Sequence, residues 1–137
     1  MKRLLVDTNI ILDLLAKRGS FFDSASKLFS WADQNKVELY ISSLSIANTN
    51  YVLSKMLNPT EAKDILRRFK VLVSIIPLTD KIIDLALNDN NFSDFEDGLQ
   101  YYSALGANCK IIISRDQKGF KTAKLPIMTA EEFLFSI

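Results

Sequence analysis

Apolar positions along the chain fall into short unbroken runs and longer stripes at helical spacing, and the two kinds alternate from end to end. Residues 3 to 7, with Leu4, Leu5 and Val6, read as a buried strand, after which Ile10, Ile11, Leu14 and Leu15 recur on one helix face. A second stripe, Phe21, Phe22, Ala25, Leu28, Phe29 and Ala32, is opened by Ser20 as its N-cap. Val37 to Ile41 alternates as a strand does, and Ser42 or Ser43 then starts a helix through Leu44, Ala47, Tyr51, Val52 and Met56. In Asn58-Pro59-Thr60-Glu61 an N-cap, a proline at the first helical position and an acid at the third open the next helix. Val71 to Leu78 reads as a third strand, followed by a helix that Thr79 caps and that carries Ile82, Ile83, Leu85 and Ala86. Beyond the polar loop Asn88 to Asn91, Ser93 and Glu96 have capping-box spacing and open a helix through Leu99, Tyr102 and Leu105, which leads into a strand from Lys110 to Ser114. Pro126 to Met128 is a short last strand, and Thr129 with Glu132 caps a terminal helix.

Strands that alternate with helices imply right-handed crossovers and a parallel sheet covered on both faces. The predicted class is therefore α/β, a three-layer α/β/α sandwich on a short parallel sheet. With 137 residues, 48% of them hydrophobic, the chain suits one domain spanning residues 1–137. Asp7, Asn9 and Asp13 interrupt the apolar start, so it does not read as a signal peptide, and no apolar run approaches the roughly 20 residues that span a bilayer. A soluble protein without membrane contact is expected. The lone Cys109 reads as a small, partly buried residue of a cytosolic protein, which places the chain in the cytoplasm. Phe21, Phe22, Phe29, Trp31, Tyr51, Phe133 and Phe135 are more aromatic surface than so short a sheet can cover, which predicts contact with a second copy, as a homodimer, or with another protein.

Histidine is absent, and with it every Ser-His-Asp or Cys-His nucleophile, histidine acid/base pair and histidine-ligated zinc. What the chain offers instead is aspartate at the ends of its predicted elements. Asp7 and Asp116 each lie just past a strand pattern, and Asp97 lies in the first turn of a helix. In an open parallel sheet ligands bind outside the carboxyl ends of the strands, where Asp7 and Asp116 can meet. Clustered carboxylates repel one another unless a divalent cation offsets them, and oxygen ligands suit Mg²⁺ or Mn²⁺. Asp94 and Asp97, three residues apart, share a helix face and can act jointly. Each acid also has an ordinary explanation: Asp7 as an N-cap, Glu96 as a capping-box partner, Asp116 as a turn residue before Gly119. A net charge of +1 does not advertise a nucleic-acid partner, but Lys110, Arg115, Lys118, Lys121 and Lys124 surround Asp116 with cations able to hold phosphates.

Three segments carry a resemblance: Leu-Val-Asp-Thr-Asn at 5–9, Asp-Phe-Glu-Asp-Gly-Leu-Gln-Tyr-Tyr-Ser-Ala-Leu at 94–105, and Ile-Ile-Ser-Arg-Asp-Gln-Lys-Gly-Phe at 112–120. In this order they resemble the signature segments of the PIN domain, a nuclease family that includes toxins of bacterial toxin–antitoxin pairs. The resemblance implies a metal-dependent endoribonuclease in which Asp7, Asp97 and Asp116 are catalytic metal-binding acids, with Asp94 an auxiliary ligand. Asn9 would orient Asp7, and Ser114 would place a hydroxyl near substrate or metal, with Arg115 and Lys118 toward the RNA. It further implies RNA as substrate and a small antitoxin as partner. One position departs from the pattern: Ser43-Leu44-Ser45-Ile46-Ala47-Asn48 is similar to a family stretch that usually ends in glutamate. Asn48 brings no negative charge and is no base, although its amide can bond or offer a carbonyl oxygen. That keeps open a PIN-like module that binds RNA and cleaves poorly. A haloacid dehalogenase-like phosphatase also begins with a strand and an aspartate, but it needs a second aspartate where this chain has Asn9.

Overall fold

A computed structural model describes residues 1–137. Its sheet is built outward from strand β1 (Arg3–Val6), which pairs in parallel with β2 (Glu38–Ser42) on one side and β4 (Ile111–Ile113) on the other. β3 (Ser74–Ile76) and β5 (Ile127–Met128) complete the order β3-β2-β1-β4-β5, parallel throughout. Chain direction across the sheet reverses between β1 and β4, so a crevice opens at their carboxyl ends.

Neighbouring residues of the central strands point to opposite faces, and both faces are buried. Leu4, Val6, Ile111 and Ile113 enter one core with α1 (Thr8–Leu15), α2 (Phe21–Asp33), α3 (Ser43–Met56), α4 (Pro59–Phe69) and α7 (Ala130–Phe135). Leu5 and Ile112 enter the other with α5 (Asp80–Leu87) and α6 (Phe95–Gly106). This is the expected three-layer α/β/α arrangement. No helix is long and apolar enough to cross a membrane.

Several predicted caps hold. The Ser42 hydroxyl accepts from Ser45 N–H, Asn58 Oδ1 from Glu61 N–H and Thr79 Oγ1 from Ile82 N–H. Thr129 and Glu132 form a complete capping box. Others fail for identifiable reasons. Ser20 precedes α2 with a helical backbone and makes no capping bond. Helix α6 is capped by Asp94, whose Oδ1 accepts from Glu96 N–H at 2.9 Å, so Ser93 and Glu96 form no capping box. The strand expected over Val71 to Leu78 begins only at Ser74, because Lys70–Leu72 continues α4 as a 3-10 turn.

The aromatic surplus divides between core and surface. Phe29 and Phe133 are fully buried, and Trp31 packs edge-on to Phe133. Phe21, Tyr51 and Phe135 are exposed, and Phe22 is half-buried. Cys109 is buried outright, with 2% of its surface exposed, rather than partly.

Candidate active site

Asp7 ends the central strand, caps α1 and is only 8% exposed. Its N–H continues the sheet by donating to Ile113 O at 2.9 Å. Both carboxylate oxygens are occupied. Oδ1 accepts from Thr8 N–H at 2.8 Å and Gln100 Nε2 at 3.1 Å. Oδ2 accepts from the Ser114 hydroxyl at 2.7 Å and Asn9 Nδ2 at 3.4 Å. Burial pushes the Asp7 carboxyl up, while the bonds from Ser114, Thr8 and Gln100 pull it down and the charge of Asp116 pushes it up again.

Ser114 couples two of the acids: while donating to Asp7 its oxygen accepts from Asp116 N–H at 2.9 Å. Asn9 spans the same junction, donating to Ser114 Oγ and accepting from Arg115 N–H, each at 3.4 Å. Asp116 is exposed at the cleft mouth, where its Oδ1 accepts from Gly119 N–H at 3.0 Å. Asp97 enters from the first turn of α6 and is 8% exposed. Its carboxyl is pushed up to about 7, by burial first and then by the negative charges of Asp94, Asp7 and Asp116.

These acids line one cleft of about 290 Å³, together with Asp94, Glu96, Asn9, Asn48 and Gln100. Leu12 is its one hydrophobic residue and Arg18 its one cation. Sequence reasoning missed Gln100 and Arg18. Gln100 is 2% exposed and joins four elements: it accepts from Ser42 Oγ at 2.7 Å and donates to Ser45 Oγ at 2.8 Å as well as to Asp7. Its spacing of three from Asp97, on one helix face, was the available signal. Arg18 lies in the turn between α1 and α2, after Lys17 with φ 51°, where periodicity carries no information.

The basic segment behaves differently from expectation. Arg115 does not line the cleft: its Nε and Nη2 donate to the two oxygens of Asp13, each at 2.9 Å, and its guanidinium lies 4.0 Å from the Phe21 ring centroid. Asp13 is 1% exposed and needs that cation, which holds the Arg115 guanidinium against Asp13 and Phe21 and out of the cleft lining. Lys118 is exposed and likewise outside the cleft lining.

A hard divalent cation suits this donor set. Every charged donor is a carboxylate oxygen, and the repulsion that adds to burial in pushing up Asp97 is what a cation relieves. As the side chains stand, no three acids close into a coordination cage. Mg²⁺ does not require one, because it keeps several waters and takes one or two carboxylates directly.

Fold and site together define an α/β/α domain with a carboxylate-rich cleft at its switch point. The chain belongs to the PIN domain family, which residues 3–118 match. Ribonuclease VapC1 of Aquifex aeolicus is 35% identical over 136 residues, covering 96% of this chain and 93% of that one. Among solved structures, DNA-bound VapBC from Salmonella typhimurium aligns over 95% of this chain and 99% of that one, with a TM-score of 0.73 at 12% identity. Mycobacterium tuberculosis VapC20, a Sarcin-Ricin loop cleaving toxin, aligns over 89% and 95% with a TM-score of 0.69 at 16% identity. Those two likenesses concern the fold.

Proposed function

We propose that this protein is a divalent-metal-dependent PIN-type endoribonuclease and the toxin of a toxin–antitoxin pair, acting in the cytoplasm. The observation that carries the reading is the meeting of Asp7, Asp97 and Asp116, from three separate segments, in one polar cleft. Mg²⁺ or Mn²⁺ bound there supplies a water of lowered pKa and offsets charge on the phosphate. The remaining work falls to the chain. Asp7 is fixed in orientation by four hydrogen bonds, two on each oxygen, so an ion meets it through water or by displacing the long bond from Asn9 at 3.4 Å. Asp94 and Asp116 stand at the mouth as the auxiliary and opposing acids, and Ser114 keeps Asp7 and Asp116 in fixed relation. Arg18 is the cation placed to meet a phosphate of the RNA strand.

The sequence identity to a named ribonuclease supports RNA as the substrate. An antitoxin partner is supported by the structural likeness to VapBC complexes, and a homodimer by the exposed apolar residues Tyr51, Val71 and Phe135. Asn48 favours a second reading, a module that binds RNA and cleaves it poorly, because the amide adds no charge to the cleft. Incubation with a panel of unstructured RNAs, with Mn²⁺, with Mg²⁺ and with chelator, separates the two. Cleavage that needs metal and disappears in Asp97→Asn is expected. Binding in chelator without cleavage in either metal would leave the binding module.

A further inference from the structure

We propose that Glu96 is a further anionic residue of the metal site, held by Asn48, so that the charge α3 does not carry at the cleft is delivered from α6. The inference rests on the metal-dependent reading above. Asn48 Nδ2 donates to Glu96 Oε1 at 2.9 Å, joining two helices across 48 residues of sequence, and both side chains line the carboxylate cleft. An acid in the first turn of a helix ordinarily serves the macrodipole, a role that needs no partner on a neighbouring helix. Nor does Glu96 cap α6, since Asp94 does so. Its side chain has one hydrogen-bond partner in the protein, the Asn48 amide, which engages Oε1 and leaves Oε2 without a protein partner at the cleft mouth.

An amide donor that fixes one oxygen of a carboxylate orients the other, as outer partners orient the ligands of metal sites generally. Mg²⁺ and its analogues keep much of their hydration shell, so a carboxylate at the cleft mouth acts on the ion through its bound waters without closing on it. Asn48 is then a positioning residue, and the pair does jointly what a single glutamate on α3 would do alone.

Titration calorimetry with Mn²⁺ alone, without RNA, tests this on four proteins: the parent, Glu96→Gln, Asn48→Ala, and Glu96→Gln combined with Asn48→Glu. Glu96→Gln should weaken Mn²⁺ about tenfold, in the range of losses seen when groups around a metal site are removed. Asn48→Ala should weaken it less, because the charge remains and only its orientation is lost. The double variant moves the carboxylate to the other end of the same hydrogen bond and should recover most of the parental affinity. Parental affinity in Glu96→Gln, or a double variant no tighter than Glu96→Gln, overturns the role of Glu96 and leaves the metal site standing. A parent that takes up no Mn²⁺ overturns both.

Discussion

Gly119 runs so close to Asp97 that no methyl group fits between them: a Cβ at position 119 would overlap Asp97 Oδ2 and, beside it, Asp116 Oδ2. Its backbone lies outside the left-handed region, so the requirement is for space and not for an unusual turn. The loop after β4 thereby brings its own acid against the acid of α6.

Gly119→Ala should force those two carboxylates apart. Misplacement of reacting groups by about 1 Å can cost on the order of a hundredfold in rate, so RNA cleavage should fall steeply while the melting temperature moves little. Cleavage assays beside thermal melts check this. Parental cleavage in Gly119→Ala would mean that Asp97 and Asp116 do not act together.

Acidity gives a second test. Asp97 is pushed from 3.8 to about 7 in the folded chain, so between those values the native state holds a proton that the unfolded state has released. By linkage, the metal-free protein loses stability as pH rises through that interval, and Asp7, also raised, acts in the same direction. Melting temperature without metal should decline from pH 4 to about 7 and flatten above. Asp97→Asn should remove much of the decline, and saturating Mn²⁺ should restore stability at the alkaline end. An unchanged slope in Asp97→Asn would show that its proton is not the one being lost.

Asp13 and Arg115 should matter to stability and not to substrate. Arg115→Ala leaves Asp13 charged and buried, a loss of about 3 kcal/mol for one partner of a buried pair. Denaturant unfolding should register it. RNA affinity of the folded fraction, measured in chelator, should match the parent, and a marked loss would return Arg115 to the substrate surface.

Arg18 should behave in the opposite way. Arg18→Ala should leave the melting temperature unchanged and lower the slope of log affinity against log salt by about 0.7, the contribution of one phosphate contact on a single strand. Binding measured across a salt series in chelator isolates this from catalysis. An unaltered slope removes Arg18 from the RNA path.

The layered fold was legible because the strands carry unbroken apolar runs between helical stripes, and Asp7, Asp97 and Asp116 because they stand at junctions. What was not legible depends on competition and distance. Ser93 and Asp94 are both good N-caps, and only the path of the chain decides that Asp94 wins and that Glu96 is released toward Asn48. Arg115 looked free among cations because its partner, Asp13, lies 102 residues earlier. Gln100 resembles any helical amide until β1, β2 and α3 close around it.

The hydrogen bonds around Asp7 divide the cleft into unequal halves. Asp7 is buried and saturated with donors, whereas Asp94, Glu96 and Asp116 are solvent-exposed. An arriving ion therefore meets a stiff wall on one side and, on the other, more compliant arms that are each held through one oxygen only. Tolerance of different ionic radii would come from the compliant side and catalytic alignment from the stiff one, so changing the metal should alter how tightly it is held more than where the phosphate is cut.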